Sequence, residues 1–154
     1  MKVSKIFENY FSSNEYEEDE DCLVIGVIGE VSEDEDESNI YEMIDNLVDD
    51  IMDEFDDFED YAILGDVKSN KLLQVAFKIA EERGFKTVGL VINDDESDLN
   101  NYPVDDFLYC ETDNPANCFS DNIDVLIKVG NNSFTDEVLN QVNGEEIPVF
   151  EENI

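Results

Sequence analysis

Positive charge is nearly missing from this chain. Its 154 residues carry eight Lys+Arg against 42 Asp+Glu and no His, for a formal net charge of −34 at pH 7. Binding a phosphate backbone needs clustered basic side chains, so direct recognition of nucleic acid is not expected. An anionic membrane surface is excluded on the same ground. Cysteine is sparse too: Cys22, Cys110 and Cys118 are irregularly spaced and form no CxxC. Neither a structural zinc site nor a disulfide framework is expected from them, and Cys22 and Cys110 read as small core residues in strands. No apolar run approaches 18 residues and no signal peptide is evident, so the expectation is a soluble, cytoplasmic protein.

What remains is enough for a globular domain. The hydrophobic fraction is 42%, close to the globular norm. Self-repulsion among the carboxylates works against compactness at low salt and is relieved by screening. Three readings of the acidity stand side by side: a solvating surface suited to a salt-loving organism, a DNA-like surface offered to a basic DNA-binding protein (a phage strategy), and drift. Abundant Asn, Ile and Phe fit an AT-rich genome.

Hydrophobic periodicity organises the chain. Residues 1–12 form an amphipathic stripe of Val3, Ile6, Phe7, Tyr10 and Phe11, followed by an acidic linker to Asp21. This segment (1–21) is read as separate from a domain over 22–154, and either packs on it or docks to a partner. Cys22–Gly29 is a continuous apolar run, as expected of a strand covered on both faces. The loop after it, Glu30 to Ser38, holds six carboxylates. Ile40, Met43, Ile44, Leu47, Val48, Ile51, Met52 and Phe55 then keep helical spacing, with Asn39 as the expected cap and Glu42 three residues on.

Tyr61–Gly65 predicts a second strand, and residues 70–83 a helix that Gly84 ends. Lys86–Ile92 is a third strand, followed by a polar loop over 93–102. Weaker strands are expected at Phe107–Glu111 and Val125–Val129. After the turn at Gly130, Ser133 is expected to cap a short helix ended by Asn143-Gly144. Ile147–Phe150 reads as an edge strand. Strands alternating with helices call for an α/β Rossmann-like open sheet, mostly parallel, with helices on both faces.

The order of "LVIGVIG", "YAILGD", "RGFKTVGLVINDD", "LNNYPVDDF" and "IDVLIKVGNNSFTDEV" resembles single-domain DprA/Smf-related proteins. These stand close to molybdenum cofactor carriers and Lonely Guy phosphoribohydrolases within the SLOG class. The resemblance spans about 130 residues, Cys22 to Glu151. The family hallmark is a Pro-Gly-Gly-x-Gly-Thr-x-x-Glu turn after a central strand, where glycines let backbone approach a phosphate. Gly130 and Glu137 match it; Asn131, Ser133 and Phe134 replace two glycines and the threonine. The family's earlier Gly-rich turn is reduced to Gly65-Asp66-Val67-Lys68-Ser69, and its arginine has no counterpart in 113–117.

The resemblance therefore implies a nucleotide-derived or related small ligand held by Gly29, Gly65, Asp66, Lys68, Ser69, Gly130, Asn131, Asn132, Ser133 and Phe134, with catalysis absent or weak. Each position has a plainer reading beside it. Asp66 to Ser69 also suit a capped turn with one solvated lysine, and Gly130 to Ser133 a plain strand-to-helix turn. Glu137, the one acid–base candidate, equally suits a helix dipole. Glu33 to Glu37 and Asp94 to Glu96 lack the EF-hand pattern, so no metal site is expected. Arg83, the only arginine, closes a helix and reads as structural. The competing function is an acidic interaction protein whose outward carboxylates, among them Asp45, Asp49 and Asp53, inhibit a basic DNA-binding protein. Pairing of two copies through helices is a further implication of the resemblance.

Overall fold

The eight residues of strand β1 (Cys22–Gly29) are all buried, because neither face of this apolar run reaches water. In the computed structural model, which describes residues 22–32, 34–66, 71–92, 105–110, 114–130 and 133–152, β1 lies at the centre of a six-stranded sheet. Residues 1–21 and 93–104, with the expected amphipathic helix and polar loop, lie outside the described residues. The elements in chain order are β1, α1 (Glu37–Glu54), β2 (Asp60–Asp66), α2 (Lys71–Arg83), β3 (Lys86–Ile92) and β4 (Asp106–Cys110). They are followed by α3 (Pro115–Asp121), β5 (Val125–Val129), α4 (Ser133–Glu145) and β6 (Val149–Glu152).

The strand order is β4-β3-β2-β1-β5-β6, and every pairing is parallel. The expected open, Rossmann-like α/β sheet is therefore present, parallel throughout rather than mostly so. Residues of β1 alternate between two cores. Leu23, Ile25 and Val27 pack with α1 and α2 on one face. Val24 and Ile28 pack with α3 and α4 on the other.

Several boundaries differ from the expected ones for identifiable reasons. α1 starts at Glu37, because Asp36 accepts the Ser38 backbone N–H at 3.0 Å and so caps the helix ahead of Asn39. α4 runs through Gly144 and ends at Glu145; Glu146 takes the left-handed conformation (φ 60°) while Ile147 N–H reaches Val142 O. Ser133 is accordingly the first helical residue rather than the cap. β6 begins after Pro148, whose carbonyl accepts Leu126 N–H at 2.9 Å. Gly84 (φ 76°) does end α2, with Phe85 N–H on Ala80 O.

Helix α3 is a finding that the periodicity did not foretell. Asn114 caps it by accepting Asn117 N–H at 3.1 Å, and Pro115 opens it. It brings Cys118 to Cys110, with the two Cα atoms 6.4 Å apart and the sulfurs bonded. This corrects the expectation that the cysteines would form no disulfide; Cys22 stays outside the bond and is buried as expected. Spacing of eight residues carries no pairing signal until strand and helix fold back on one another.

Two aspartates fasten the sheet at its amino edge by one device. Asp124, just before β5, accepts Val24 N–H at 3.0 Å and donates its own N–H to Val24 O. Asp105, just before β4, accepts Thr87 N–H at 3.0 Å and donates to Thr87 O. Each carboxylate adds one rung to a parallel ladder before its strand begins, satisfying a backbone donor that would otherwise be left unpaired.

Candidate functional site

In an open parallel sheet, crevices form where neighbouring strands send their connections to opposite faces. That place here is the carboxyl edge between β1 and β5. The chain leaves β1 toward α1 on one face and leaves β5 toward α4 on the other. Gly29 pairs with Val129 across the two strands, and Glu30 N–H continues the ladder to Val129 O at 3.0 Å.

Both glycines at this rim are required by geometry. Gly29 has φ 132°, and a Cβ on it would stand 1.8 Å from Val129 O; Gly130 has φ 72°, and its Cβ would stand 2.2 Å from Glu30 O. The close approach that these glycines permit is therefore between the two protein strands themselves. Gly130 N–H also reaches Glu152 O on β6 at 3.3 Å, so three strands are stitched together at this corner.

The other site residues fall into three groups. Gly65 and Asp66 are the last two residues of β2, which puts them on the same carboxyl edge, one strand from Gly29. Gly65 is buried, and a Cβ there would meet Leu73 at 2.0 Å, so it lets α2 sit close on β2. Phe134 turns into the core, its ring edge-on to Phe119 at 5.9 Å. Glu137 is exposed on α4. Ser133 opens that helix, while Lys68, Ser69, Asn131 and Asn132 lie outside the described residues.

The acidic loop after β1 is more ordered than a solvated charge run requires. Val31 is 6% exposed and pins it to the core beside α1 and α2. Ser32 accepts Asp34 N–H through its side chain and Glu35 N–H through its carbonyl. Lys71 Nζ donates to Glu35 O, tying the loop to the start of α2. Beside it, Asp36, Glu37, Ser38, Tyr41 and Lys78 line an open groove of about 520 Å³. The Ser38 backbone N–H and hydroxyl hold the Asp36 carboxyl below its ordinary range. Tyr41 donates to Glu82 at 2.5 Å, which pushes its phenol up.

Two cations take roles the motifs did not assign. Arg83, read as structural, bridges α2 to α1 by binding Asp45 at 2.6 Å and Asp49 at 2.8 Å. Asp45 and Asp49, two of the carboxylates expected to face a basic partner alongside Asp53 and the runs 15–21 and 30–37, are thus engaged within the chain. Lys128 is buried in β5, one residue before Val129, with its amine 3.3 Å from Glu151 of β6. A lone lysine inside the apolar run Val125–Val129 was the available signal. Among the described residues, no group of three or more Cys, Asp or Glu side chains is placed to hold a metal, and no helix is long and apolar enough to cross a membrane.

Fold and edge together define an open α/β domain of the Rossmann-like kind, with its strand order reversing at β1/β5. No family model and no curated protein matches the chain. Two solved structures of the molybdenum cofactor carrier protein from Chlamydomonas reinhardtii share its fold. One aligns with a TM-score of 0.61 and 22% identity over 84% of this chain and 75% of that one. The other gives 0.58 and 22% over 86% and 77%. The order of segments therefore led to a fold that this chain shares with a molybdenum cofactor carrier protein.

Proposed function

We propose that this protein is a non-catalytic binding domain that holds a nucleotide-derived or related small ligand at the carboxyl edge of its sheet. The observation that carries this reading is the strand reversal at β1, where the connections from β1 and β5 part to opposite faces. Helix α4, 13 residues long, starts at that rim, and the positive end of its dipole favours a carbonyl or anionic group. The likeness to a carrier protein supports binding without turnover. So does the loss of two hallmark glycines and of the family arginine, which leaves Glu137 without an evident cation to share the work.

The molybdenum cofactor is the ligand named for the solved structures, and the rim fits it in part. The amino end of α4 is present, while the buried ammonium of Lys128 is already paired with Glu151; a metal-ligating set is not found among the described residues. Grip on the organic portion through neutral donors is the chemistry these residues offer. Isothermal titration with nucleotides, cyclic nucleotides and the isolated cofactor, with and without Mg²⁺, tests the reading. One class should bind at one site per chain. Silence across the whole panel overturns it.

A further inference from the structure

The Cys110–Cys118 bond sits where the carboxyl edge of the sheet meets its shortest helix. Cys110 is the last residue of β4 and is 3% exposed. Cys118 lies midway along α3 and is only partly buried. Helix α3 has seven residues, too few to hold helical structure without outside support. Besides the disulfide it is held by the Asn114 cap, by the buried side chains Ala116, Phe119 and Ser120, and by packing against α4.

We propose that this pair is a reversible thiol–disulfide switch, opened at Cys118 by a small thiol or dithiol reductant, which fastens or frees α3 against β4. The difference in exposure sets the direction of attack. An external thiolate bonds to Cys118 Sγ, the Cys110–Cys118 bond breaks, and Cys110 leaves as a thiolate that takes a proton from water. A second external thiol attacks the outer sulfur of the mixed disulfide, releasing Cys118 and an external disulfide. Two electrons pass from the reductant to the protein. The reverse sequence, with an external disulfide as oxidant, closes the ring. Such a pair suits a compartment in which thiols are kept mostly reduced and disulfides are transient. Cys22, 1% exposed in β1, takes no part and serves as an internal control.

Three measurements on the full chain test this independently of any ligand. After treatment with glutathione disulfide, alkylation in denaturant should label Cys22 alone, and after a dithiol reductant all three cysteines; labelling of all three in both states overturns the proposal. In native protein, Cys110→Ser should take up one glutathione at Cys118, whereas Cys118→Ser should leave Cys110 unmodified; equal modification of the two overturns the direction of attack. Amide exchange over 114–122 should quicken by about tenfold or more on reduction while β1 keeps its protection. Equal exchange in the two redox states overturns the switch.

Discussion

Gly29 and Gly130 face one another's strands across the β1/β5 corner, each with positive φ and each standing where a Cβ would collide with the other strand's backbone. The corner that shapes the candidate site is thus built from backbone alone. Side chains there would force β1 and β5 apart.

Gly130→Ala is therefore expected to destabilise the fold by about 2–4 kcal/mol, from left-handed strain plus the contact with Glu30 O. Gly144→Ala is the matched control. It lies inside α4 with nothing within 4 Å of a new Cβ, and should stabilise by about 0.5–1 kcal/mol. Urea denaturation of the two variants should move the midpoint in opposite directions.

Glu146 occupies the left-handed position after α4, a place that glycine fills without strain. Its carboxylate also stands at the negative end of the helix dipole. Glu146→Gly should raise stability by about 1 kcal/mol, read as a higher thermal midpoint. An unchanged midpoint would count against the helix end described above.

Arg83 ties α2 to the acidic helix α1. Burial works against its charge, but the hydrogen bonds it donates to Asp45 and Asp49 outweigh this and push its pKa up. Arg83→Ala should cost about 1 kcal/mol, and Arg83→Lys should recover less than half, since a lysine cannot fork between two carboxylates. Salt separates two effects of opposite sign. The whole protein should gain stability as salt screens its −34 charge, while the gap between wild type and Arg83→Ala narrows.

Asp106, at the start of β4, has its pKa raised above the ordinary 3.8 by burial, with Lys86 opposing and Asp105 adding to the shift. Its native form binds a proton more tightly than the unfolded chain does. The cost of its charge is therefore fully present above the native pKa and is relieved as pH falls through that value toward 3.8. Asp106→Asn should stabilise at pH 7 by a few tenths of a kcal/mol, on the order expected for a partly solvated charge, and the gain should vanish in acid. Thermal melts of the pair from pH 7 down to pH 3 would check this.

Much of the fold was legible because burial pattern is local. The run Cys22–Gly29 and the stripe from Ile40 to Ile51 each declare which face is covered, whatever they pack against. Gly84 likewise announces the end of α2 by itself. The site was legible only in outline. Parallel strands bring Gly29, Gly130, Gly65 and Asp66 to one edge, but the burial of Phe134 beside Phe119 and of Lys128 beside Glu151 depends on neighbours far along the chain.

Sequence by itself determined the alternation of strands and helices and the two-sided burial of the sheet, since these follow from periodicity and composition. Tertiary structure alone decided the order β4-β3-β2-β1-β5-β6, the Asp124 clamp on Val24 one hundred residues away, and the meeting of Cys110 with Cys118. The physical reason is reach: periodicity reports whether a residue is covered, and only the folded chain specifies by what.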